Sequence, residues 1–125
     1  MALFSQEDAL VALDMMPRHK HRASDYEPRV AYIIRVVCNE FNLTRSQILG
    51  DQRYRPIAFP RQIGMYLAAL HSHLSLPAIG REFNRDPTTV LHAIKRVKDD
   101  WPEHYPDWHR KAMILEDIIA SATNA

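Results

Sequence analysis

Ser75-Leu-Pro-Ala-Ile-Gly-Arg-Glu-Phe-Asn-Arg-Asp86-Pro-Thr-Thr-Val-Leu-His-Ala-Ile-Lys-Arg-Val-Lys98 is the most heavily punctuated stretch of the chain. Ser75 and Asp86 are each followed within two residues by a proline. That is the order expected where a capping side chain opens a helix and proline takes an early position whose N–H would have no partner. Leu76, Ile79 and Phe83 fall on one face of a first short helix. Val90, Leu91, Ile94 and Val97 fall on one face of a second, predicted to begin at Pro87 and run to about Asp100. Only Asn84-Arg85-Asp86 separates them. A short helix, a tight turn and a longer helix are the dimensions of a helix-turn-helix.

Working outward, Val30, Ile33, Ile34, Val37 and Phe41 recur at three- and four-residue spacing and predict a helix from Pro28. Thr44 with Gln47 makes a capping box for a short helix that Gly50 stops. Residues 51 to 59 are predicted as a loop, with Pro60 opening a helix whose Ile63, Tyr66, Leu67 and Leu70 share an inner face. Downstream, Pro102 and Pro106 are expected to break the chain before a last amphipathic helix marked by Trp108, Ala112, Leu115 and Ile119. At the other end, Ser5 and Asp8 predict a capped helix to about Met16, and Pro17 to Ser24 a basic arm. No strand pattern and no internal repeat interrupts this series. The fold class is all-α, a helical bundle containing a helix-turn-helix with helical extensions at both ends. The expected divisions are 1–26, 27–100 and 101–125.

The 125 residues suit a single domain, and 46% hydrophobic with 25% charged residues is ordinary globular usage. Net charge is only +1, but it is unevenly laid out. Residues 1–16 carry three acids and no Lys or Arg, residues 17–98 carry 14 bases against 6 acids, and residues 99–125 carry 2 bases against 6 acids. A basic middle between acidic flanks suits a polyanionic partner, although bases scattered over a solvated surface give the same count. The flanks are also placed to screen the middle against non-specific DNA. Cys38, the single cysteine, excludes an internal disulfide framework, fits a reducing compartment, and sits among apolar positions as core filler. No apolar run approaches the ~20 residues of a membrane span, and the expected location is cytoplasmic.

Enzyme signatures are missing: there is no phosphate-binding G-x-x-x-x-G-K-[ST] loop, no dinucleotide G-x-G-x-x-G, no H-E-x-x-H and no G-x-S-x-G. His19/His21 and His71/His73 lack Cys, Asp or Glu partners at ligand spacing, so no metal and no cofactor is expected. The chain reads as a non-enzyme. Its recognition candidate is Asp86-Pro87-Thr88-Thr89, the turn that a helix-turn-helix offers to base edges in the major groove. Helix capping alone accounts for the same residues. Arg53 and Arg55, on either side of Tyr54, suit a minor groove or phosphate.

Two stretches carry a family resemblance. Arg53-Tyr-Arg-Pro-Ile-Ala-Phe-Pro-Arg-Gln-Ile-Gly-Met-Tyr-Leu67 and Ser75 to Ala93 together resemble the C-terminal DNA-binding domain, domain IV, of the bacterial replication initiator DnaA. The likeness covers Val30 to Lys98. It implies a Trp-repressor-like helix-turn-helix that binds DnaA-box-like sites in double-stranded DNA. It further implies that Arg53 reads the minor groove with Arg55 beside it, and that Asp86, Pro87, Thr88 and Thr89 face the major groove. Arg61, Gln62, Leu76 and Pro77 match positions that hold the phosphate backbone, and Arg85, His92 and Lys95 complete the DNA-facing set.

The sequence departs from the family in two places: Pro87 replaces the usual base-contacting His, and the single Asn84 replaces the usual Gly-Gly. A lost base contact costs about 1 to 3 kcal/mol of discrimination; Asn tolerates the left-handed backbone that such a turn needs. No segment resembles the initiator's ATPase domain, so the expectation is a stand-alone, nucleoid-associated regulator of replication initiation or transcription. The alternative is an interaction protein that docks the initiator or one of its regulators and binds DNA with little specificity.

Overall fold

The computed structural model describes residues 29–124, and among these every regular element is helical. The predicted helix over 5–16 and the basic arm at 17–24, with His19 and His21, lie outside the described residues. Helix α1 spans Arg29–Phe41 and buries Val30, Ile33, Ile34 and Val37, as their spacing requires. It ends where Asn42 turns left-handed at φ 56° and the Leu43 N–H reaches back to the Cys38 carbonyl at 2.9 Å. Cys38 packs half-buried against the core, and burial pushes its thiol pKa up.

Helix α2, Arg45–Leu49, carries both bonds of the predicted capping box. The Gln47 N–H donates to Thr44 Oγ1 at 3.1 Å, and the Thr44 N–H donates to Gln47 Oε1 at 2.9 Å. Gly50 closes it in an extended conformation, φ −78°. Helix α3 then spans Arg55–His71, five residues earlier than Pro60 predicts. Pro56 supplies the first-turn proline instead, and the Tyr54 carbonyl accepts the N–H groups of Ile57 and Ala58. Ile57 and Pro60 are buried, and burying that side of the extra turn outweighs the one hydrogen bond Pro60 forgoes. The loop between α2 and α3 therefore shrinks to residues 51–54.

Helix α3 runs through the middle of the bundle. Every residue from Ile63 to Ala69 is buried, so here the helix is apolar all round rather than on one face. Leu70, expected inward, is 39% exposed, while Ala69 before it and Ser72 after it are buried, so Leu70 lies on the outer face of the helix. Helix α4, Leu76–Phe83, opens on Ser75, whose Oγ accepts the Ala78 N–H at 3.3 Å. It closes on Asn84 at φ 59°, ψ 46°, with the Arg85 N–H on the Gly80 carbonyl at 2.7 Å. Helix α5, Pro87–Lys95, follows at once. Val90, Ala93 and Ile94 are buried beneath it against α3 and α4.

The expected break at Pro102 does not occur. From Lys95 the chain continues through a π turn, Arg96–Asp100, into α6, Trp101–His104, and the Trp101 N–H bonds the Arg96 carbonyl five residues back. A widened turn draws the carbonyl four residues before a proline away from its ring, so Pro102 is accommodated. The chain changes direction only at Tyr105, φ −138°, before α7, Pro106–Asn124.

Ala112, Leu115 and Ile119 of α7 join the same core as Trp101. Polar ties reinforce this docking: Tyr66 Oη donates to Glu116 Oε1 at 3.2 Å, and Lys111 Nζ to Glu40 Oε2 at 3.1 Å. No helix among the described residues is long and apolar enough to cross a membrane.

Candidate nucleic-acid interface

The 51–54 loop and the start of α5 are held together at the C-terminus of α2, where the carbonyls of Gln47, Ile48 and Gly50 accept from arginine side chains. Arg61, directly after Pro60 in α3, is 5% exposed. Its Nε donates to the Ile48 carbonyl at 2.6 Å, Nη1 to Gln52 at 2.7 Å and Nη2 to Gln47 at 2.9 Å. Three carbonyls around one planar fork fix both the end of α2 and the loop that follows. Burial and the nearby Arg85 charge lower the Arg61 pKa, with Asp51 opposing, and a guanidinium stays charged through such a shift. Arg61, expected to hold phosphate, thus lines the groove with its fork bonded to the protein's own carbonyls.

Arg85 does similar work from the other side. Its Nη2 donates to the Gly50 carbonyl, and its Nη1 to the carbonyls of Phe83 and Asn84 at 3.3 and 3.0 Å. The helix-turn-helix turn is therefore stapled to the end of α2. Arg61 and Arg85 together set where the 51–54 loop lies relative to the start of α5.

Between these elements lies an open groove of about 640 Å³. Arg53, Arg61, Gln62, Arg85, Thr89 and Arg96 line it, with Asp51 as its one acid and Ala58, Met65 and Ala93 as its apolar floor. Arg96 escaped the sequence reading. It lies seven residues after Thr89 and three after Ala93, and that spacing on a helix is the signal that places it on the groove face.

The start of α5 presents Asp86, Pro87 and Thr88 exposed and Thr89 half-buried at the groove edge. The Asp86 carbonyl accepts the N–H groups of Thr89 and Val90 at 3.0 and 3.2 Å, whereas its side chain makes no capping bond. The carboxylate therefore remains an acceptor directed outward. His92 is exposed and Lys95 half-buried farther along the same helix. Leu76 packs on the core, while Pro77 is exposed beside it at the start of α4.

Arg55 is not brought to the groove. Its guanidinium carbon lies 4.9 Å from the Tyr105 ring centroid and 5.3 Å from that of Phe59, on the side facing α6 and α7. Three acids of the C-terminal segment are engaged within the protein: Asp100 pairs with His104 at 2.9 Å and Asp107 with Arg110 a turn along the chain, and Glu116 accepts from Tyr66 across the bundle. Among the described residues no three His, Cys, Asp or Glu side chains gather as a metal site.

Comparison with known proteins gives this geometry a context. A family model described as the bacterial dnaA protein helix-turn-helix matches residues 30–97. The chain is 38% identical over 98 residues to the chromosomal replication initiator protein DnaA of Brucella abortus, covering 77% of this chain and 20% of that protein. It is 43% identical over 81 residues to the protein of the same name from Limosilactobacillus reuteri, covering 64% of this chain and 18% of that one. For Agrobacterium fabrum the figures are 44% over 72 residues, 57% and 15%. The chain spans about a fifth of the length of the curated relatives it matches.

Proposed function

The chain belongs to the family of bacterial DnaA helix-turn-helix domains, and on that premise we propose that it binds double-stranded DNA sequence-specifically at DnaA-box-like sites. The observation that carries the reading is the free Asp86 carboxylate beside Thr88, at the start of α5 and next to the arginine-lined groove. Asp accepts from cytosine N4, and Thr offers a hydroxyl to polar base edges or a methyl to thymine. Arg53, on the short loop across the groove, suits a narrow minor groove. Gln62, Pro77, His92, Lys95 and Arg96 surround these groups as positioning contacts to phosphate and sugar. Such binding supports a nucleoid-associated role in regulating replication initiation or transcription.

Fluorescence anisotropy with a DnaA-box duplex and a scrambled duplex, across a salt series, tests this. The box is expected to bind at least tenfold tighter, and Arg53→Ala and Thr88→Ala each to weaken box binding by about tenfold to a hundredfold, the worth of about 1 to 3 kcal/mol per base contact. Both side chains are exposed, so the thermal midpoint should stay within ~2 °C of wild type. Equal, weak binding of the two duplexes would sink sequence-specific recognition.

A second reading, docking of the initiator or one of its regulators, draws on Ile114 and Ile118. They lie one turn apart on the outer face of α7, 56% and 44% exposed, beside the exposed Asp117. The doubly substituted Ile114→Asp/Ile118→Asp chain should bind DNA as wild type does and lose co-purified initiator. Retention of the initiator would count against this surface.

A further inference from the structure

Arg53 and Arg55 flank one tyrosine yet face different surroundings. Arg53 lines the groove, whereas Arg55 lies on Tyr105 and Phe59 and donates from Nη2 to Tyr105 Oη at 3.4 Å. Tyr105 is beyond the stretch that the family model matches. Its ring is held from several sides. It meets Phe59 edge-on at 5.0 Å, and Phe59 in turn stacks on Trp101 at 4.6 Å and meets Trp108 at 5.3 Å. The Tyr105 N–H is bonded to the Trp101 carbonyl at 2.8 Å, and Pro106 restricts the backbone on the other side. The aromatic faces thus form a preset shelf, and a guanidinium over such faces is attracted by the ring quadrupoles.

We infer that Tyr105 limits sequence-blind DNA affinity by parking Arg55 on this shelf, which keeps one guanidinium charge off the duplex and leaves Arg53 alone of the pair directed at DNA. The inference rests on the DNA-binding reading above. Tyr105 acts through Arg55 and is a positioning residue. Each cation that reaches phosphate adds affinity that is blind to sequence and steepens the salt dependence by about 0.9 in the log–log slope. A parked arginine withholds that increment from every sequence equally, so the ratio of box to random DNA binding is kept while the sequence-blind hold on bulk DNA, and its salt dependence, stay lower.

The test uses the full chain in four forms, wild type, Tyr105→Ala, Arg55→Ala and the double variant, titrated with box and scrambled duplexes over a salt series. Tyr105→Ala should raise affinity for both duplexes about fivefold near 0.1 M salt and steepen both slopes by about 0.9, one added phosphate contact. The double variant should return to wild type, and Arg55→Ala alone should stay within about twofold of it, since its charge is already withheld. Tyr105→Phe keeps the ring face and should match wild type.

A merely structural tyrosine would behave differently: Tyr105→Ala would weaken both duplexes alike at an unchanged slope, with no rescue in the double variant. That result overturns the inference, as does a slope made shallower by Arg55→Ala alone. Should Tyr105→Ala fail to fold, Tyr105→Leu fills the shelf without a π face and is held to the same outcomes. Failure of the DNA-binding reading is distinguishable, because it appears as equal affinities of the wild type for the two duplexes. The slope on scrambled DNA reads the parked charge either way.

Discussion

Arg61→Ala is expected to lower the thermal midpoint by about 15 °C and to abolish detectable discrimination between box and scrambled DNA. The side chain makes three hydrogen bonds of 2.6 to 2.9 Å from a site that is 5% exposed. Truncation takes the charged donor from the carbonyls of Gln47, Ile48 and Gln52, of which Gln47 keeps the Gly50 N–H at 3.3 Å, and charged hydrogen bonds of this kind are worth about 1.5 to 3 kcal/mol each. A net loss of roughly 3 kcal/mol corresponds to ~12 to 24 °C in a domain of this size. Discrimination fails for a separate reason: without the fork, only the Arg85 bond to the Gly50 carbonyl remains to hold the Arg53 loop against the end of α2.

Arg61→Lys should recover little. An ammonium radiates three donors from a point and cannot span carbonyls that a planar guanidinium reaches along its edges. Differential scanning calorimetry with the salt series separates this role from a phosphate contact. A phosphate-holding arginine would leave the midpoint within a degree or two and make the salt slope shallower by about 0.9.

Arg61 also marks the boundary of what local sequence reveals. The capping box at Thr44 and Gln47, the Ser75 cap and the left-handed Asn84 are each determined within a few residues, and the structure has all of them. The inner faces of α1 and α5 follow from periodicity for the same reason. The carbonyls bound to Arg61 are 9 to 14 residues away, and the Arg55 partner on Tyr105 is 50 away. No local rule distinguishes these two arginines from Arg53, since an exposed and a spent guanidinium look alike until the chain is folded.

The prolines teach a related lesson. Pro56 and Pro60 are one turn apart and both suit a first helical turn, and the choice between them is settled by burial of Ile57. Pro102 should break a helix by its own chemistry, yet Trp101, 1% exposed, anchors the π turn and α6 in the core. Packing there outweighs the backbone preference of one residue. The turn at Asp86 was legible because it opens a helix, whereas its supports were not, because they are tertiary.

Gly80→Ala is expected to be the most damaging single-methyl change in the helix-turn-helix, with a loss of about 3 kcal/mol, the upper end of overpacking costs. A Cβ on Gly80 would collide with the Arg85 carbonyl oxygen and come within 3.4 Å of the Arg85 and Asp86 carbonyl carbons. These are backbone atoms of the turn itself, so no rotamer change relieves the contact. Gly64→Ala offers the contrast: its added carbon would meet the Phe83 ring at 3.0 and 3.1 Å, and a side chain can shift by a few tenths of an ångström where backbone cannot.

Relief at Gly80 requires the turn to swing outward. That breaks the 2.7 Å bond from the Arg85 N–H to the Gly80 carbonyl and carries Asp86 and Thr88 away from the groove. Urea titration should therefore show the lower stability, and box affinity should fall about a hundredfold, the scale of losing one to two base contacts. Affinity for scrambled DNA should change much less, because phosphate contacts tolerate a shifted helix better than base-edge hydrogen bonds do. A Gly80→Ala chain with wild-type stability and full discrimination would mean that α4 and α5 do not meet as closely as the Arg85 carbonyl places them.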